Sequence, residues 1–132
     1  MIVVDASALV AIFLREPEQQ TFLDVISAAD ATWLSSINYV EAGLILSKRR
    51  LIPNRERFDT LLVSLRVQIR EDIELGPLAL DAYLQFGKGY HPARLNLGDC
   101  FAYALAKALD APLLYKGDDF ALTDIRSALQ PT

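Results

Sequence analysis

Four acidic residues stand where an apolar surrounding is expected: Asp5, Glu41, Asp99 and one of the pair Asp118/Asp119. Asp5 follows the β-branched run Ile2-Val3-Val4, and Asp99 opens a strongly apolar helical stretch. Glu41 lies four residues after Ile37 and three before Leu44, on the same helical stripe as Val40 and Ile45. Asp118-Asp119 closes the apolar run Pro112-Leu113-Leu114-Tyr115. A buried carboxylate must be paired, protonated or bound to a cation, because leaving it isolated costs several kcal/mol. Four such acids along one short chain point to a shared pocket for a hard divalent cation, which takes oxygen ligands.

Each acid also has an ordinary explanation. Asp5 fits an Asx turn or a helix cap. Asp99, third after Asn96, gains about 0.3–1 kcal/mol from the helix dipole as a first-turn acid. Lys48 or Arg49 could pair with Glu41, and two acids beside Gly117 suit a solvated turn. Capping and metal binding therefore both stand for these positions until the fold is known.

The elements that must place these acids alternate between strand and helix. Strands are expected at 2–4, 31–34, 112–115 and, weakly, at Ile73-Glu74-Leu75. Helices are expected over 6–14 with Ser7 near the cap, from Glu16-Pro17-Glu18 to 28, over 37–50 behind Ser35-Ser36, and over 56–68. Further helices are expected over 78–86 and, behind Asn96, over 97–109. This order predicts an α/β domain with a mostly parallel central sheet, in which sites form beyond the carboxyl ends of strands.

Composition sets outer limits. The 132 residues fit one domain, and 52% hydrophobic with 23% charged content argues against disorder. No uncharged run approaches the roughly 20 residues of a spanning helix, and no secretory signal precedes Asp5. The single Cys100 excludes an internal disulfide and suits a reducing, cytoplasmic setting; inside an apolar helix it reads as packing. The net charge of −4 predicts no global attraction to nucleic acid, although the proposed pocket holds much of that charge. His91 is the only histidine, which leaves little support for a His-centred zinc site or triad.

Together these motifs resemble the PIN-domain ribonucleases, in particular the VapC toxins of VapBC toxin–antitoxin pairs. The matching pieces are Val3-Val4-Asp5-Ala6-Ser7-Ala8-Leu9, Ser36-Ile37-Asn38-Tyr39-Val40-Glu41, the stretch Asn96-Leu97-Gly98-Asp99-Cys100-Phe101-Ala102, and Leu113-Leu114-Tyr115-Lys116-Gly117-Asp118-Asp119-Phe120. The likeness spans nearly the whole chain and implies a three-layer α/β/α PIN-like domain over 1–132. It implies Asp5, Glu41, Asp99 and Asp119 as catalytic, metal-holding residues, with Asp118 as the alternative fourth acid because Gly117 stands where many relatives carry Asp. Mg²⁺ or Mn²⁺ would activate water and neutralise charge on a scissile RNA phosphodiester. Asp5 and Asp99 would be the principal ligands, with Glu41 and Asp119 holding a second ion or orienting water.

Ser7 would steady a carboxylate or phosphate, or simply cap a helix. Lys88, His91, Arg94 and Lys116 would grip flanking phosphates and Tyr90 would stack on a base, against the alternative of solvated loop charge and one packed ring. The resemblance further implies a tRNA or rRNA substrate, a VapB-like antitoxin and a homodimer, with no membrane. Phe22, Leu23, Ile26 and Leu46 are candidate partner-facing residues, with core packing as their other explanation. Two rival readings stand beside this one: a related nuclease of rRNA maturation or DNA, and a non-catalytic module whose acids only cap helices.

Overall fold

The computed structural model describes residues 1–129. The run Ile2-Val3-Val4 forms β1 (Ile2–Val4), buried at all three positions. It lies between β2 (Thr32–Ser35) and β4 (Leu113–Leu114), and β3 (Val67–Arg70) completes the order β3-β2-β1-β4. Every pairing is parallel. Parallel neighbours need long crossovers, and helices supply them. After β1 come α1 (Ala6–Phe13) and α2 (Gln19–Ala28); after β2, α3 (Ser36–Lys48) and α4 (Arg55–Leu65); after β3, α5 (Gly76–Phe86) and α6 (Leu97–Leu109). A 3₁₀ turn, Phe120–Leu122, follows β4.

Side chains alternate across a strand, so a sheet covered on both faces requires two cores. Ile2, Val4, Leu34 and Leu114 pack with α1 to α4. Val3, Leu113 and the half-buried Trp33 pack with α5 and α6. The result is the expected three-layer α/β/α arrangement around a parallel sheet. The outer edge of β4 is covered by the segment after the 3₁₀ turn, through a Leu113–Ser127 bridge and bonds from Leu113 N to Arg126 O and from Ala128 N to Leu113 O.

The structure corrects several local expectations. The helix expected over 56–68 stops at Leu65, where Arg66 turns left-handed at φ 60°. Val67-Gln68-Ile69-Arg70 then forms β3, paired with all four residues of β2, while Ile73-Glu74-Leu75 is not a strand. Val67 enters the core and all four residues pair with β2, so tertiary strand pairing wins over the preceding helical period. Glu16-Pro17-Glu18 precedes α2 rather than opening it. Phe22, Ile26 and Leu46 are core residues and Leu23 is partly buried against them. The uncovered apolar face of α3 is instead Val40, Leu44 and Ile45, at 53%, 55% and 38% exposure. Among the described residues, no helix is long and apolar enough to cross a membrane.

A candidate metal-binding acidic site

Asp5, Glu41, Asp99 and Asp119 lie near enough at the carboxyl edge of the sheet for their charges to act on one another, and each arrives by a different local device. Asp5 ends the central strand and caps α1: its Oδ2 accepts from Ser7 N at 3.0 Å. The cap is therefore Asp5, not Ser7. The residue is 3% exposed, and its Oδ1 is buried with no hydrogen-bond partner. Burial pushes this carboxyl up to about 7 against the pull of its Ser7 bonds, and the charges of Asp99 and Glu41 add to the rise.

Asp99 sits in the first turn of α6 in a capping box. Asn96 Oδ1 accepts from Asp99 N at 2.9 Å, and Asp99 Oδ2 accepts from Asn96 N at 3.0 Å. Desolvation raises its carboxyl to about 6, opposed by the Asn96 N–H and reinforced by Glu41 and Asp119. Capping and a place in the acidic cluster are thus compatible for both aspartates.

Glu41 reaches the cluster for a reason other than the one its spacing suggested. The stripe it shares with Val40, Leu44 and Ile45 is a solvent-facing groove wall, continued by Asn96, Leu97 and Gly98 of the facing segment. Its carboxylate lies directly over the first turn of α6: a methyl group added at Gly98 would stand 2.5–2.7 Å from it. Among the described residues Glu41 forms no ion pair, so Lys48 and Arg49 are not its partners. Asn38 Nδ2 instead donates to Oε1 at 3.2 Å.

Asp118 and Asp119 are both exposed in the turn after β4. Their backbone carbonyls accept from Ala121 N and Leu122 N and start the 3₁₀ turn. Of the two, Asp119 is the one whose charge acts on Asp99.

Asp5, Asp99 and Glu41 share one pattern. Each has one carboxylate oxygen held by an N–H of the chain, while the other accepts no hydrogen bond among the described residues. Among those residues, no three acidic, His or Cys side chains converge closely enough to enclose an ion as they stand. The donor set nevertheless fits a hard divalent cation: all oxygen, mutually repelling, and with an orphaned buried oxygen at its centre.

The expected supporting residues divide. Ser7 Oγ accepts from Lys116 N at 3.0 Å, so it stitches the exit of β4 to the start of α1. Lys116 Nζ is engaged with Glu16 at 2.7 Å and Glu18 at 3.5 Å rather than free for phosphate. His91 knits its own loop, accepting from Ala93 N at 3.0 Å and packing edge-on against Phe86. Lys88 and Arg94 are exposed, as is Tyr90 at 62%, with its ring edge-on to Tyr83. Cys100 is buried, and desolvation with nearby Asp99 pushes its thiol up to about 11, which leaves it unreactive.

Two residues at the site escaped the sequence reading. Asn38 is fully buried, and Gly98 has no room for a side chain. The available signal was a polar Asn three residues before Glu41 on one helix face.

Comparison with known proteins identifies the family and the fold. The PIN domain family model matches residues 2–125. Ribonuclease VapC42 of Mycobacterium tuberculosis is 40% identical over 128 residues, covering 96% of this chain and 98% of that protein. In fold, the chain resembles the crystal structure of M. tuberculosis VapC20, described as a sarcin–ricin loop cleaving toxin, with TM-score 0.67 and 17% identity over 96% and 99% of the two chains. A toxin–antitoxin complex from Klebsiella pneumoniae gives TM-score 0.66 and 16% identity over 92% and 91%. With a family model over nearly its full length and a relative at this identity, the chain belongs to the VapC proteins of the PIN-domain family.

Proposed function

We propose that this chain is a divalent-metal-dependent endoribonuclease, the toxin of a type II toxin–antitoxin pair. The observation that carries the reading is the buried, unpartnered Oδ1 of Asp5, facing the charges of Asp99 and Glu41. An acid so placed stabilises nothing by itself. It gains a purpose only when a cation or proton is present.

In this reading Asp5 and Asp99 are the principal Mg²⁺ or Mn²⁺ ligands, each through the oxygen its cap leaves uncommitted. Glu41 and Asp119 complete the site and orient water. When bound, the metal supplies charge neutralisation at the phosphate and acidifies its water. The chain's own contribution is orientation: Ser7 N and Asn96 N fix the two aspartates, and the Ser7–Lys116 bond sets the turn that carries Asp119. Of the four basic residues expected to grip phosphates, Lys88 and Arg94 are exposed and form no ion pair among the described residues, so they meet RNA phosphates; Lys116 and His91 act through the fold.

The relatives' ribonuclease names support RNA as substrate, and the toxin–antitoxin neighbour supports an antitoxin as partner; the reading takes these to be a tRNA or rRNA and a VapB-like antitoxin. Exposed apolar side chains support further contacts: Val40, Leu44 and Leu97 beside the acids, and Leu80 and Leu84 on α5. The antitoxin would cover the first group and a second copy of the chain the other, as a homodimer in the cytoplasm. The deciding experiment incubates purified protein with total cellular RNA, with and without chelator, beside Asp99→Asn. Cleavage that needs the metal and Asp99 is expected; chelator-resistant cleavage, or none, refutes the reading. A non-catalytic module would show no change in Tm on metal titration.

A further inference from the structure

Among the described residues, Asn38 is the one fully buried polar residue that links two of the acids' helices. Its Oδ1 accepts from Ser35 Oγ at 2.6 Å. Its Nδ2 donates to Glu41 Oε1 at 3.2 Å and to the Gly98 carbonyl, 60 residues away in sequence, at 3.0 Å. A side chain here must accept one hydrogen bond and donate two, in a space with no exposure. Only a carboxamide of this length does so. The helix cap does not need it, because that bond runs from Asn38 backbone N to Ser35 Oγ.

The facing surface of α6 is shaped to match. Gly98 is bare where the Glu41 carboxylate rests, and a Cβ there would meet both Glu41 oxygens and its Cδ at 2.5–2.7 Å. Asp99 is the next residue. A carboxylate on a long, flexible side chain loses rotamer freedom when fixed, so without a tether Glu41 would turn toward the open groove formed by Ile37, Leu44 and Leu97.

We propose that Asn38 is a positioning residue: by bonding at once to Glu41 and to the Gly98 carbonyl, it holds the Glu41 carboxylate over the bare first turn of α6, beside Asp99. The inference rests on the metal-dependent nuclease reading and assigns the residue that sets its third acid. Asn38 touches neither metal nor RNA, and its effect passes wholly through Glu41.

The test is a double-mutant cycle read in two ways: Mn²⁺ affinity of the resting protein by electron paramagnetic resonance, and kcat and KM for RNA cleavage. Asn38→Ala is expected to weaken Mn²⁺ binding and lower kcat by about 10–100-fold, as loss of a ligand's supporting partner does, with KM little changed. Glu41→Gln is expected to show a comparable loss. Asn38→Ala combined with Glu41→Gln should then be no worse than Glu41→Gln alone.

Gly98→Ala gives an independent route, displacing Glu41 while Asn38 stays and the helix gains a better former. It should cause the same kind of loss without lowering Tm. Unchanged Mn²⁺ affinity and rate in Asn38→Ala, or losses that multiply in the double variant, would overturn the proposal. If Asn38→Ala does not fold, Gly98→Ala decides, and wild-type affinity there overturns it. Wild-type protein that binds no Mn²⁺ and cuts no RNA instead refutes the nuclease reading, and this inference with it.

Discussion

Asp5 and Asp119 both follow strands that are neighbours in one parallel sheet, yet they meet opposite conditions. β1 is central and runs straight into α1, so Asp5 is enclosed by helices and capped within two residues. β4 has two residues and leads into an open turn, where Asp118 and Asp119 stay in solvent. The contrast shows that one kind of side chain can do two jobs. A buried carboxylate is fixed and costly until neutralised; an exposed one costs little and can adjust its position.

The sharpest way to break this contrast is to neutralise the two desolvated acids, buried Asp5 and half-buried Asp99. Asp5→Asn or Asp99→Asn should lower RNA cleavage by on the order of 1,000-fold or more, as loss of a transition-state group does. In chelator, the same variants should melt at or above the wild-type Tm, since each removes a repelled, desolvated charge. A variant that cleaves at the wild-type rate loses its assigned role.

The exposed pair should respond less. Asp119→Asn is expected to reduce cleavage by about 10–100-fold, in keeping with a supporting contact, whereas Asp118→Asn should stay within about twofold. The opposite ranking would give Asp118 the place beside Asp99.

pH separates the two regions without mutation. Native Asp5 and Asp99 are raised to about 7 and about 6, above their ordinary value of 3.8. Between pH 4 and 7 the folded protein therefore holds protons that the unfolded chain has released, and stability must fall as pH rises. In chelator the Tm should be lower at pH 7.5 than at pH 5, and saturating Mn²⁺ should reduce that difference. A metal-free Tm that climbs over this range contradicts the assignment. The smallest effect belongs to the loop cations: Lys88→Ala or Arg94→Ala should raise KM by about two- to threefold at low salt, and less at high salt.

Much of this was legible where one local signal had one structural meaning. The run before Asp5 could only be a buried strand, and Asn96 three residues before Asp99 announced both a helix start and its acid. Glu41 was identified from its stripe, but the stripe faces a groove, because periodicity reports a face and not what covers it. β3 was missed because Val67-Gln68-Ile69-Arg70 is too short to outweigh the helix before it until β2 is there to pair. Asn38 was invisible for a related reason: its partner on α6 lies 60 residues away, and no window along the chain contains both.

The bond between Ser7 and Lys116 joins groups 109 positions apart. A half-made polypeptide carries Asp5 and Glu41 but neither Asp99 nor Asp119, so it holds only part of the constellation. Whatever this molecule does to RNA must then wait until the segment through Asp119 has been made.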